Sequence, residues 1–260
     1  MAKRRGKNTV SRILVVVDTS PRSLHVLQTA AALAAQVHAE LEMLFVEDIN
    51  LFHLAALPFT RELDRTSGEE RAVDQAWMDQ TLRIHVRHVR RALSAATQSL
   101  QIQSSLRVVR GHYIHEALSD TYADVVFIKG TARASFSNLK EIPRAQHPVY
   151  TLYDGSPTAE RSVSLAHQLA NALRVDLVIL TPSNTGQDVE TLHQQADRIV
   201  GDKVNVRWIT IASADVQSFK REIQSTKCSL LVLSREYSTA ISQSSGGLFD
   251  VVDCPLVLVA

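Results

Sequence analysis

Val17-Asp18-Thr19-Ser20-Pro21 and Tyr153-Asp154-Gly155-Ser156-Pro157 carry the same punctuation, an apolar run closed by Asp-x-Ser-Pro. The offset from Asp18 to Asp154 is 136 residues. In that register Ala30 falls on Ala166, Leu33 on Leu169, Ala34 on Ala170 and Leu41 on Leu177. Letters and element order agree over one register, which is the mark of a duplicated unit.

The first copy opens with Ile13–Asp18, a β-branched run of the kind found in strands buried on both faces. Thr19-Ser20-Pro21 turns the chain, and Ser followed by Pro is a helix start. The Ala/Leu-rich stretch Ser23–Val37 predicts a helix and Leu41–Val46 a second strand. Asp48–Arg65, with Pro58 and no period, is expected to be a loop with one helical turn. Its Leu51, Phe52, Leu54, Leu57 and Phe59 are expected to be buried, over the first cleft or against another surface. A long helix over Glu69–Ala96, a strand over Ile102–Val109, a short helix over Tyr113–Thr121 and a strand over Val125–Ile128 complete the copy.

The second copy predicts a strand at Val149–Tyr153, helices at Ala159–Leu173, Gln187–Val200 and Asp215–Gln224, and strands at Leu177–Leu180, Val204–Ile211, Leu230–Leu233 and Leu256–Val259. Such alternation predicts an α/β fold: two tandem open parallel sheets with helices on both faces and ligands at the carboxyl ends of the strands. Only one strand-like run lies between Ile128 and Ala159, and His147-Pro148-Val149 is similar to Cys254-Pro255-Leu256. The first copy therefore lacks its own fifth strand or shares one. The boundaries read as a disordered basic leader over 1–11, a first unit over 12–147 and a second over 148–260.

Composition narrows the function. In 260 residues, Lys plus Arg number 28 and Asp plus Glu 27, which excludes a strongly basic nucleic-acid binder. Hydrophobic residues at 45% exclude disorder. Cys228 and Cys254 lie far apart in no C-x-x-C pair, so neither a disulfide framework nor a cysteine zinc site is expected. No apolar run is long enough to span a membrane. The expectation is a soluble, reduced, cytoplasmic protein without a nucleic-acid or membrane partner.

The run Ile13–Asp48, together with YDGSPTAERSVSLAHQLANALRVDLVIL and the closing LLVLSRE…DVVDCPLVLV, resembles the universal stress protein family in tandem form. The resemblance implies an adenine nucleotide alpha hydrolase-like, Rossmann-like fold of five parallel strands, with nucleotide-binding and non-binding branches. It also implies pairing of units, within one tandem chain or as a homodimer through the closing strand. It implies stress response and regulation rather than an established reaction.

The binding branch carries G-x2-G-x9-G-S/T after the fourth strand. Glycines there let main chain approach phosphate, and a helix start receives the oxygens. Both copies depart from it. Copy two has Ser234 and Tyr237 at the glycine positions, with Ser245, Gly246 and Gly247 as an echo. Copy one has Gly130 and then Arg133. Asp18 and Asp154 match the family's acidic residue beside the base or ribose, and equally suit a turn and helix cap. The candidate nucleotide contacts are therefore Asp154, Gly155, Ser156, Ser245, Gly246, Gly247, Asp18, Thr19 and Gly130. Val46 and Thr181 end the second strands, where binding members use backbone contacts.

Ser244–Asp250 is also faintly similar to the SGG-x-D loop of ATP pyrophosphatases, but it precedes the last strand, so a turn is the default. His112/His115 and His85/His88 have metal-pair spacing without a convincing third ligand. Arg83, Arg87, Arg90 and Arg91 form a basic stripe, either solvated or facing phosphate or an acidic partner. No catalytic constellation stands out, and no cofactor is required. Two readings follow: a stress protein that acts by association with nucleotide binding weak or lost, or an ATP-binding switch with an irregular phosphate loop in the second unit.

Overall fold

The computed structural model describes residues 10–18, 23–57, 59–63, 68–73, 75–129, 147–185, 188–201, 204–226, 228–237, 252 and 254–260. The chain forms two compact units, Leu14–Tyr122 and Met1–Ile13 together with Ala123–Ala260. These units do not coincide with the two sequence repeats.

In the Leu14–Tyr122 unit, β1 (Arg12–Val17) leads to α1 (Ser23–Val37), β2 (Glu40–Asp48), α2 (Ile49–Ala55), β3 (Arg61–Leu63), β4 (Glu70–Ala72), α3 (Gln75–Thr97), β5 (Ser104–Gly111) and α4 (Tyr113–Ser119). Strand β2 lies between β1 and β5 and runs parallel to β5, from Leu41 against Ser104 to Asp48 against Gly111. Ile13–Val17 and Leu41–Val46 are buried, as runs covered on both faces must be. Helix α3 packs on α1, β2 and β5. It turns Met78, Leu82, Val89 and Leu93 inward.

β5 is different. Its largely exposed pattern fits a strand at a sheet margin. Its Arg107 reaches inward, with Nε donating to Glu42 Oε1 at 2.8 Å and Nη2 to Asp120 Oδ2 at 2.5 Å. Both carboxylates are nearly buried, and the shared guanidinium compensates them where burial alone is costly.

The Asp48–Arg65 segment departs from expectation. Asp48 Oδ1 accepts from Asn50 N and caps α2. The chain then forms an antiparallel hairpin of β3 with β4, tied by Arg61 and Glu70. Of the five apolar side chains expected to be buried, Leu54, Leu57 and Phe59 are exposed, Phe59 by 95%, while Leu51 and Phe52 are half-buried.

The second unit contains β6 (Val125–Ile128), β7 (Val149–Leu152), α5 (Pro157–Leu173), β8 (Leu177–Pro182), α6 (Val189–Val200), β9 (Val206–Ile211), α7 (Val216–Thr226), β10 (Leu230–Ser234) and β11 (Leu256–Val259). Its strand order is β6-β11-β10-β7-β8-β9. All neighbours pair in parallel except β11 and β6, which run antiparallel with Leu256 against Ile128 and Val259 against Val125. The closing strand is therefore an interior strand, not the exposed edge expected from sequence. Val149–Leu152 pairs with β10 and β8 and serves the second repeat alone.

The repeat register recurs in three dimensions. α1 ends at His38 and α5 at Arg174, both with φ of 56°. Ala39 N donates to Ala34 O as Val175 N donates to Ala170 O. Leu41 N donates to Gln103 O as Leu177 N donates to Asn205 O. Each helix thus ends in a left-handed residue that returns the chain to a strand.

The cysteines correct a second expectation. Cys228 and Cys254 are joined, with Cα atoms 5.8 Å apart. They precede neighbouring parallel strands β10 and β11, so strand pairing brings residues distant in sequence side by side.

Candidate functional site

The cleft at the carboxyl ends of the second unit's strands starts from β7. Tyr153 N donates to Leu180 O at 2.9 Å and extends the pairing by one step. Asp154 follows, and its Oδ1 accepts from Ser156 N at 2.9 Å across Gly155, whose φ is 83°. Ser156 Oγ then accepts from Ala159 N at 3.2 Å and caps α5, with Pro157 in the first turn. Asp154, Gly155 and Ser156 are brought together, in the arrangement of a turn and a helix cap.

Opposite stands Tyr237, just past β10. Its main-chain N–H donates to Ser234 Oγ at 3.3 Å. Its hydroxyl donates to the Ala214 carbonyl, and its ring meets Phe219 edge-on at 6.1 Å between centroids. Burial raises the phenol pKa above its ordinary value, and the negative charges of Asp154 and Asp215 raise it further. Asp215 accepts from the Ser213 hydroxyl and, at 2.8 Å, from Ser218 N at the start of α7. Those bonds hold its carboxyl below the usual range. Nearby, the Tyr153 hydroxyl donates to Gln195 Oε1 at 3.2 Å, and burial, Glu160 and Asp154 raise its pKa.

Among the described residues, the polar groups at this strand end bond one another. The amides of Ser156, Ala159 and Tyr237 already bond Asp154, Ser156 and Ser234. A phosphate needs such amides free. Two carboxylates also act on the Tyr237 phenol. Asp215 was not legible as a site residue. The only signal was the Ser213-x-Asp215-x-x-Ser218 spacing of a helix start.

In the other unit, half-buried Asp18 follows β1. The Tyr113 hydroxyl donates to Val16 O at 2.8 Å, two residues before it. At the ends of β2 and β5, Arg110 Nη2 lies 3.2 Å from Glu47 Oε2 and 3.9 Å from Asp79 Oδ1. Its guanidinium stacks 3.5 Å from the centre of the Phe52 ring. The inserted α2 thus covers a strand-end arginine. Tyr113 and Arg110 were also missed by sequence reasoning.

Thr19, Gly130, Arg133, Ser245, Gly246 and Gly247, with the rest of the Ser244–Asp250 loop, lie outside the described residues. Val46 is buried, and Thr181 is buried with no hydrogen-bond partner for its hydroxyl among the described residues. Among the described residues no group of three or more His, Cys, Asp or Glu is placed to hold a metal. His115 Nδ1 faces Glu116 Oε1 at 3.6 Å. Burial lowers the pKa of His85, and the neighbouring His88 lowers it further.

Residues 9–119 match the model of the universal stress protein family. Over that stretch the chain is similar to the universal stress protein family. The universal stress protein from Archaeoglobus fulgidus DSM 4304 shares the fold, with a TM-score of 0.57 at 12% identity over 95% of each chain. A protein from Mycobacterium tuberculosis H37Rv is 26% identical over 34% of this chain and 70% of that one, with a TM-score of 0.30. A universal stress protein in complex with cAMP is 17% identical over 44% of this chain and 97% of that one, with a TM-score of 0.30. These last two likenesses carry no argument. No curated protein sequence matches. Among the described residues no helix is long and apolar enough to cross a membrane.

Proposed function

We propose that this chain is a cytoplasmic tandem universal stress protein that acts in stress response by association, with nucleotide binding weak or lost. The observation that carries the reading is Tyr237. Its hydroxyl closes on Ala214, its amide on Ser234, and Asp154 and Asp215 both act on it. A triphosphate entering there displaces a bonded phenol and meets two carboxylates. In the other repeat, Tyr113 bonds the end of β1 and Phe52 covers Arg110. Association within the chain is supported by the antiparallel pairing of β6, from the first repeat, with β11, from the second.

No reaction is assigned: among the described residues no nucleophile, base or acid pair converges in either cleft. The competing reading is an ATP switch in the second repeat. Calorimetric titration with ATP-Mg, and chromatography of nucleotide released from purified protein, separate the two. The expected result is no co-purified nucleotide and a Kd weaker than about 1 mM, near −4 kcal/mol. Low-micromolar binding overturns the proposal in favour of the switch.

A further inference from the structure

The exposed side of α3 carries a feature that neither cleft explains. Arg83, Arg87, Arg90 and Arg91 fall within about 100° of helical arc. All four are exposed, and none forms an ion pair among the described residues. Arg87 Nε donates to Arg83 O at 3.4 Å. The contrast with the same unit's other arginines is clear: Arg107 holds Glu42 and Asp120, Arg110 holds Glu47, and Arg61 holds Glu70. Carboxylates are available in this unit, and the stripe has been left without them.

Two concavities run along the stripe. One, of about 680 Å³, has Leu82 and Val86 on its floor and Arg83, Arg87 and Arg110 on its walls. Glu47 and Asp79 also line it, and both face Arg110. The second, of about 430 Å³, continues from Arg87 past Arg90, Arg91 and Ser94 to Gln98. Arg87 lines both, so the two concavities adjoin along one face of α3, which measures about 22 Å from Arg83 to Gln98. At the Arg110 end it is bordered by α2, whose Phe52 stacks on that guanidinium.

We infer that this face of α3 is a docking surface for an acidic amphipathic helix of a partner protein. Arginine cations spaced three to four residues apart match carboxylates at the same helical spacing on a facing helix. Half-buried Val86, above the buried Leu82, supplies the apolar contact for a partner's leucine. The length suits three to four helical turns of roughly 5.4 Å each. Among the described residues no aromatic side chain lines either concavity, which offers bases nothing to stack on and disfavours single-stranded nucleic acid. The net charge of +1 gives the chain no general attraction for a polyanion.

This inference rests on the association reading and names where association occurs. The test uses the full chain and a fluorescein-labelled 18-residue peptide of Glu and Leu, with Leu at helical spacing, followed by fluorescence anisotropy. Micromolar binding is expected. It is expected to weaken at least tenfold in the triple variant R87E/R90E/R91E and to stay within about threefold in R87K/R90K/R91K. Circular dichroism melts of both variants report their folding, and the lysine variant keeps the comparison valid if charge reversal perturbs α3. Equal binding by wild type and the glutamate variant refutes the surface. So does equal binding of a peptide with Ser in place of Leu, tighter binding of a single-stranded oligonucleotide, or no peptide binding below 1 mM, the limit set for weak association. Tight ATP binding in the separate titration sinks the association reading without moving the peptide result.

Discussion

Replacing Tyr237 by Phe removes one oxygen and leaves the ring against Phe219. The Ala214 carbonyl loses its donor. A net protein hydrogen bond contributes about 1 kcal/mol, so the variant is expected to be less stable by that amount at pH 7. The pH dependence makes the prediction specific. Burial, Asp154 and Asp215 raise the phenol's pKa in the folded protein, whereas in the unfolded chain it titrates near 10. Above pH 10 the unfolded state has released the proton and the folded state still holds it. Wild-type stability then falls with rising pH, by up to about 1.4 kcal/mol by pH 11. The ring is partly open to water, so screening reduces that figure to about 1 kcal/mol. Phe has no proton to lose. The gap between wild type and variant should therefore be about 1 kcal/mol from pH 7 to 9 and close to zero at pH 11. Urea unfolding followed by tryptophan fluorescence at each pH measures it. A gap that stays constant or widens from pH 9 to 11 refutes the burial that is the main cause of this phenol's raised pKa.

Two further outcomes test the fold around the cleft. Val257 is fully buried and paired on both sides, with Val232 and Phe127, so Val257→Pro removes a ladder donor from an interior strand. A loss of about 3 kcal/mol, or roughly 6–12 °C in Tm, is expected, and an unchanged melt contradicts the β6–β11 pairing. The Cys228–Cys254 bond closes a loop of 26 residues, which the chain-entropy account values at about 3.5 kcal/mol. Urea curves with and without dithiothreitol, against C228S/C254S, should show that difference in the wild type alone; no shift on reduction argues against the bond.

Strands buried on both faces announce themselves, and Ile13–Val17, Val125–Ile128 and Leu256–Val259 were all legible as such. So was the start of α5, because Ser156-Pro157 is a chemical start signal that works locally. What a run of apolar letters cannot reveal is its neighbour. Leu256–Val259 reads identically as an edge or an interior strand, and only its pairing with β6 decides. The same blindness to neighbours hid the cysteine pair, which depends on β10 lying beside β11. The hairpin of Arg61–Leu63 with Glu70–Ala72 was missed because its strands are only three residues long and Arg61–Leu63 is exposed throughout. At the site, Tyr237 was legible as bulk in place of glycine. Its anchoring on Ala214, and the charge of Asp215, emerge only when the β9–α7 turn folds over it.

The antiparallel join of β6 to β11 has a consequence for how this molecule behaves when scarce. A contact made between separate copies dissolves as protein is diluted, because its population follows concentration. Here both strands are carried on one polypeptide, so the join persists at any expression level, down to a single molecule per cell. Freed from having to match an identical twin, each half can also change on its own, and one can keep a surface that the other discards.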